Sequence, residues 1–217
     1  MHTLKPLGDS ALLITLGDEI DPRLNQRVHA LATLVEAFPG VVETVPAYAT
    51  LLVHYDPLAL TYSQLVDYLR LRLDSVDSAT TRAPRRIDVP TRYGGASGAD
   101  LAAVAASHAL TVADVIRLHS GRDYLVYMMG FTPGFPYLGT LDEAIVTPRL
   151  ETPRTSVPAG TVAIAGAQTG IYPLASPGGW NLIGWTPLKL FDPTSQLPFL
   201  FAPGDTVRFI PIEGEDA

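Results

Sequence analysis

Apolar residues fall into two rhythms along this chain, and the change between them comes at about Tyr124. Residues 10–16 (SALLITL) form a short apolar run bounded by Gly8 and Gly17, which predicts a buried strand. Asp21-Pro22 then supplies a helix start. Asp21 can cap the free amides, and Pro22 suits the first helical position because its missing N–H would have no partner there. Leu24, Val28, Leu31, Leu34 and Val35 recur on one helical face until Pro39-Gly40 ends it. Two strand-like runs follow, 41–45 and 50–55, with Pro46 in the turn between them. Leu65, Tyr68, Leu69 and Arg72 predict a second amphipathic helix over 61–73. Strand, helix, strand, strand, helix is most of a split β-α-β unit of ferredoxin-like type, placed at residues 1–80.

Residues 74–86 are polar and turn-rich, which predicts a linker with Arg82, Arg85 and Arg86 as a solvated cluster. A strand is expected at 87–91 and helices at 99–109 and 111–119, the second opened by a capping box of Thr111 with Asp114. Beyond Tyr124 the rhythm shortens. Strands are expected at 124–129, 161–165, 170–173, 181–184, 188–191 and 206–210, with Pro203-Gly204-Asp205 turning the chain before the last. Many short strands between Pro and Gly turns predict a barrel or sandwich over 81–217, and an α+β chain as a whole.

Composition narrows the function classes. At 217 residues, 47% hydrophobic and 17% charged, the chain has the apolar content of a folded protein. A net charge of -7 disfavours nucleic acid and anionic membranes as partners. No cysteine is present, which removes disulfides, thiolate catalysis and zinc–thiolate sites. The N-terminal stretch lacks a signal-peptide layout, and no apolar run is long enough to span a membrane, so a soluble, cytoplasmic protein is expected.

Candidate chemistry concentrates between Gly130 and Asp192, where prolines and glycines recur among Phe131, Phe135, Tyr137, Ile164, Ile171, Tyr172, Trp180 and Trp185. Arg149 and Arg154 stand in two Pro-Arg pairs on stiffened loops. They could clamp a carboxylate or phosphate, or each could pair with a nearby acid to fix its loop. Ser176, Gly178, Gly179 and Trp180 belong to a loop that could cradle an anion or turn a barrel corner. Gln168, Thr169 and Tyr172 could orient a polar ligand or satisfy buried backbone. His119 is a general-base candidate by its near-neutral pKa, or a helix-end residue. No His or carboxylate spacing supports a metal, no Walker or dinucleotide loop is present, and no nucleophile can be assigned.

The run GFTPGFPYLG at 130–139, the paired PR motifs, VPAGTVAIAGAQTGIYP at 157–173 and SPGGWNLIG at 176–184 closely resemble one family. Its members are known as allophanate hydrolase subunit 1, as the B-type subunit of 5-oxoprolinase and as Kip-type inhibitors of the sporulation histidine kinase. HSGRDYLVYMMG at 119–130 and PGDTVRF at 203–209 also match, and the resemblance covers essentially the whole chain. Trp185 departs from it, where arginine is expected in most members. The resemblance implies a small N-terminal α/β domain and a cyclophilin-like β-barrel. It also implies two partners, a homologous C-type and an A-type 5-oxoprolinase subunit, with ATP used by the complex and 5-oxoproline opened to glutamate. Arg149 and Arg154 would then hold a carboxylate or phosphoryl group. Kip-type members instead inhibit a histidine kinase by docking, for which Phe131, Pro133, Phe135, Pro136 and Tyr137 could form a hydrophobic face.

Overall fold

In the computed structural model, which describes residues 2–73, 76 and 83–213, Asp21 caps the first helix by accepting from the Arg23 and Leu24 amides. The chain divides into two compact units, Met1–Ala83 and Pro84–Ala217.

The first unit holds β1 (Thr3–Pro6), β2 (Ala11–Thr15), α1 (Pro22–Glu36), β3 (Val41–Pro46), β4 (Thr50–Tyr55) and α2 (Tyr62–Arg70). Its sheet runs β1-β2-β4-β3, every neighbouring pair antiparallel. β4 therefore lies between β2 and β3, the two strands that α1 connects. Leu12 and Ile14 of β2, with Leu51 and Val53 of β4, bury one sheet face against Val28, Leu31 and Val35 of α1 and Leu65 and Leu69 of α2. Pro46 ends β3 rather than forming the turn, and Asn25 holds the residues after it by donating to the Ala47 and Tyr48 carbonyls. α2 opens on a reciprocal capping box between Thr61 and Gln64. β1 escapes the hydrophobic pattern because it is a four-residue edge strand carrying Lys5 and Pro6, residues that suit an unpaired edge.

The second unit holds β5 (Arg86–Tyr93), α3 (Leu101–Ser107), α4 (Val112–Ser120), β6 (Asp123–Met129), β7 (Pro136–Gly139), β8 (Arg154–Val157), β9 (Thr161–Ala165), β10 (Gln168–Ile171), β11 (Ser176–Gly178), β12 (Asn181–Trp185) and β13 (Thr206–Pro211). Seven strands close a barrel in the order β10-β7-β6-β13-β5-β12-β9, while β8 and β11 pair with each other. Only the β13–β5 pair of the barrel is parallel among the described residues. Val89, Tyr124, Val126, Leu138, Val162, Ile164, Ile171, Val207 and Phe209 fill a core shared with Leu101, Val104 and Val115 of the helices. Fold class is thus mixed α/β with a closed barrel.

Two expectations change. The run 188–191 is not a regular strand: bounded by Pro187 and Pro193, it makes one bridge, Phe191 to Phe199, and the two rings stack at 5.2 Å. Of the expected linker, residues 74–75 and 77–82, Arg82 included, lie outside the described residues. Arg85 and Arg86 are exposed, as a solvated cluster requires, but each is also paired. Arg86 opens β5 near Asp88 and Asp123, at 3.5 and 3.8 Å. Arg85 donates through Nη2 to Oδ2 of Asp205 at 2.7 Å and through its amide to Oδ1 at 3.1 Å. Asp205 is fully buried and also accepts from the Ala202 amide, so one carboxylate ties the start of β5 to the turn before β13. Asp205→Ala is expected to lower stability by about 2 kcal/mol, since several part-buried donors lose one charged acceptor together. The midpoint and slope of urea unfolding measure this, and an unchanged midpoint would show the carboxylate to be dispensable.

Candidate functional site

The β6–β7 loop builds one wall of a pocket. It closes tightly: the Thr132 amide donates to Gly130 O at 2.7 Å, Phe135 to Thr132 O at 3.0 Å, and Gly130 to Phe135 O at 3.2 Å. That geometry holds Phe131 at φ 63°, a left-handed conformation that is rare for a bulky side chain, and leaves it 59% exposed. Phe135, four residues on, turns inward and is 2% exposed. It meets Tyr172, Trp180 and Tyr137 edge to face at 5.3, 5.6 and 5.0 Å, arrangements that aromatic quadrupoles favour. The opposite wall is the β8–β11 pair with its flanks, Pro153, Pro177, Gly178 and Gly179. Between the walls lies a cavity of about 260 Å³ that is also lined by Tyr137, Trp180 and Arg149. The Arg149 guanidinium lies 5.9 Å from the Trp180 ring, and no hydrogen bond or ion pair reaches it from the described residues. A side chain at 178 would run into the Tyr172 hydroxyl, so glycine is what lets β11 lie against that ring.

Two sets of residues that the sequence offers for different tasks, anion binding and docking, thus meet in one pocket. Arg149, Gly178, Gly179 and Trp180 come from the first set; Phe131, Phe135 and Tyr137 from the second. The two arginines do not converge. Arg154 donates to Asp100 Oδ1 at 2.7 Å, so it fixes its loop through a nearby acid. Asp100 Oδ2 accepts from the Leu182 amide at 2.7 Å, tying the same carboxylate to β12. The expected docking face is also thinned: Pro136 and Phe135 are buried, while Phe131 and Pro133 are exposed. Tyr172 sits buried beneath the pocket. Burial raises its pKa, against the opposing influence of the Trp180 amide and Arg149, and burial likewise raises that of Tyr137, so both phenols keep their protons at neutral pH. Gln168 is half-buried on β10, and Ser176 lies on β11 with a buried hydroxyl that finds no partner among the described residues. Pro153 and Pro177 also line the pocket; they lie within the second Pro-Arg pair and the SPGGW loop but are not among the residues that the sequence offers for binding.

His119 is not placed as a general base. It is fully buried in the barrel core, 4.4 Å from the Phe209 ring. Thr169 uses its proton on Ala163 O, so Nε2 of His119 must donate to the Thr169 hydroxyl at 2.9 Å. Nδ1 is then left to accept from the Tyr93 hydroxyl at 2.7 Å. This relay fixes a neutral imidazole with both nitrogens satisfied, and it also absorbs Thr169. Burial lowers the pKa of His119 from 6.5 to about 3.

A second cavity, about 290 Å³, lies beside Trp185, with Arg92, Ser97, Pro158, Thr161 and Leu182 around it. The Trp185 indole donates to Ala159 O at 2.9 Å and the Arg92 guanidinium lies 5.2 Å over its ring. No group of three or more His, Cys, Asp or Glu among the described residues is placed to hold a metal. No single helix among them is long and apolar enough to cross a membrane.

Residues 2–201 match the family model described as carboxyltransferase domain, subdomain C and D. The chain belongs to that family and, within it, to the B-type subunits of 5-oxoprolinase. It is 42% identical to the 5-oxoprolinase B-type subunit of Bacillus subtilis (strain 168) over 230 residues, covering 99% of this chain and 95% of the relative. It is 44% identical to the corresponding protein of Escherichia coli O157:H7 over 206 residues, covering 94% of each. The crystal structure of TTHA0988 matches with a TM-score of 0.83 at 40% identity over 95% of this chain, which spans 40% of that longer chain.

Two outcomes test this placement of side chains. Phe135→Ala should cost about 3–5 kcal/mol in urea unfolding, as for a buried aromatic, whereas Phe131→Ala should leave the midpoint near that of the wild type. Equal effects would mean that the loop does not divide the two rings between core and mouth. His119 makes a pH prediction. Below pH 6.5 the unfolded chain takes up a proton on His119 that the folded chain accepts only near 3. The unfolded state therefore binds more protons in that window, and stability falls as pH drops through it, by about 1.4 kcal/mol per unit. His119→Gln should be less stable at pH 7.5 yet lose less on acidification to pH 5; a slope equal to that of the wild type would clear His119 of the effect.

Proposed function

We propose that this chain is the B-type subunit of a 5-oxoprolinase that opens 5-oxo-L-proline to L-glutamate with ATP hydrolysis, working with a homologous C-type partner and an A-type partner. The observation that carries this reading is the end-to-end identity of 42–44% with curated B-type proteins, without large unmatched segments on either side. On this reading the two units are separate domains. The first is ferredoxin-like, its β2–α1–β3 crossover enclosing β4 and its fourth strand supplied from the N-terminal side by β1. The second is a cyclophilin-like barrel. The setting is cytoplasmic, where ATP is at hand.

The chemistry of the pocket supports action within a complex. It offers one cation, two protonated phenols and apolar walls, but no nucleophile and no base, since the candidate base is sealed in the core. This pocket does not fit ATP: one arginine in about 260 Å³ provides neither the space nor the charge that a nucleoside triphosphate needs. On this reading the proton transfers of ring opening draw on groups from partner chains. The kinase-inhibitor reading stands second, because two of the five residues offered as its docking face are buried.

The deciding experiment mixes the purified chain with its candidate A-type and C-type partners and follows glutamate formation from 5-oxoproline, with and without ATP. Turnover that needs ATP and all three chains is expected. An assembled complex that is inactive on 5-oxoproline would reject the oxoprolinase reading and make a histidine-kinase pull-down the next measurement.

A further inference from the structure

We infer that the pocket beside Arg149 is itself a ligand site of this chain, for a small flat carboxylate held by its anionic end. Three observations converge on it. Arg149 is a cation left without an ion pair among the described residues, in the lining of a cavity walled by aromatic rings. A monoanion suits it better than a phosphate, because Arg149 is the one arginine among the described residues that lines the cavity, and Arg154 lies outside it with Nη2 paired to Asp100. The cavity holds about 260 Å³, just below the range of about 300–1,000 Å³ typical of sites for drug-sized ligands, so a small metabolite fits and a peptide or nucleotide does not. Phe131 adds the third observation. The loop keeps a large aromatic at φ 63° and 59% exposed at the mouth, edge-on to Phe135 at 5.5 Å. A bulky residue in that conformation is strained, and such strain persists where a side chain is needed in place. Phe131 forms the outer wall against which a bound ring would rest, with Trp180 and Tyr137 as inner walls. The choice of a cyclic amide acid as the ligand rests on the oxoprolinase reading; the requirement for a carboxylate rests on Arg149.

The two tryptophans make the test direct, because Trp180 lines this pocket and Trp185 lines the other cavity. The ¹⁵N-labelled full chain is titrated with 5-oxo-L-proline, with its neutral carboxamide and with inorganic phosphate, and both indole N–H resonances are followed. The Trp180 resonance should shift saturably with 5-oxoproline while that of Trp185 stays still. The carboxamide should bind at least tenfold more weakly, and Arg149→Gln should weaken 5-oxoproline to the same extent. Phe131→Gly should weaken binding while keeping or raising the unfolding midpoint, since glycine relaxes the loop. A silent Trp180, equal affinity for acid and amide, or a preference for phosphate would each overturn the proposal. A complex that turns over 5-oxoproline while Trp180 stays silent would leave the oxoprolinase reading intact and remove this one. Binding at Trp180 in a complex inactive on 5-oxoproline would do the reverse.

Discussion

The second unit is organised around one carboxylate. Asp100, at the entry to α3, pairs with Leu182 in both directions: its amide donates to Leu182 O at 2.9 Å and its Oδ2 accepts the Leu182 amide at 2.7 Å. Its other oxygen takes the Arg154 guanidinium. Helix entry, barrel strand β12 and the β8–β11 pair therefore share a single anchor, and the pocket wall formed by Pro153 and Gly178 follows from where that anchor holds β8. Removing either partner of such a pair is costlier than never having built it, because the survivor keeps a partly buried charge without an acceptor or donor. Close approach makes the arrangement possible: a side chain at 98 would run into the Ile183 carbonyl, so glycine lets the turn before α3 press against β12.

Around that anchor the polar and aromatic groups sort by depth. The innermost titratable side chain, His119, is spent on structure, joining α4 to β5 and β10 through Tyr93 and Thr169. The pocket keeps aromatic faces and one cation instead. Among the described residues that line it there is one arginine and no histidine or carboxylate, so the group best suited to move a proton lies in the core and not in the pocket.

Much of the fold was legible because local signals agreed with packing. Asp21-Pro22, the Thr111 capping box, and the apolar faces of α1 and α2 all appear where their chemistry puts them. What pattern could not show was pairing. β1, β7, β8 and β11 are three or four residues long and most carry Pro or Gly, so none has enough alternation to register, yet each is held by a neighbouring strand. At the site, the residue types were visible and their division was not. Phe131 and Phe135 look alike in GFTPGF; only the turn of the loop sends one outward and the other into the core. The same holds for the two TPR triplets, which differ in function because Asp100, far away in the chain, pairs with Arg154 and not with Arg149.

Trp185 and Arg92 show how the barrel joins residues far apart in the chain. In the β12–β5 register Trp185 stands directly opposite Arg92, and opposed residues on neighbouring strands are the closest side-chain neighbours a sheet provides. The Arg92 guanidinium thereby lies over the indole, 5.2 Å from its ring, while the indole N–H donates to Ala159 O. A cation over an aromatic face retains its attraction for an anion while gaining packing from the ring. Trp185 therefore has to be read together with the residue opposite it in the next strand.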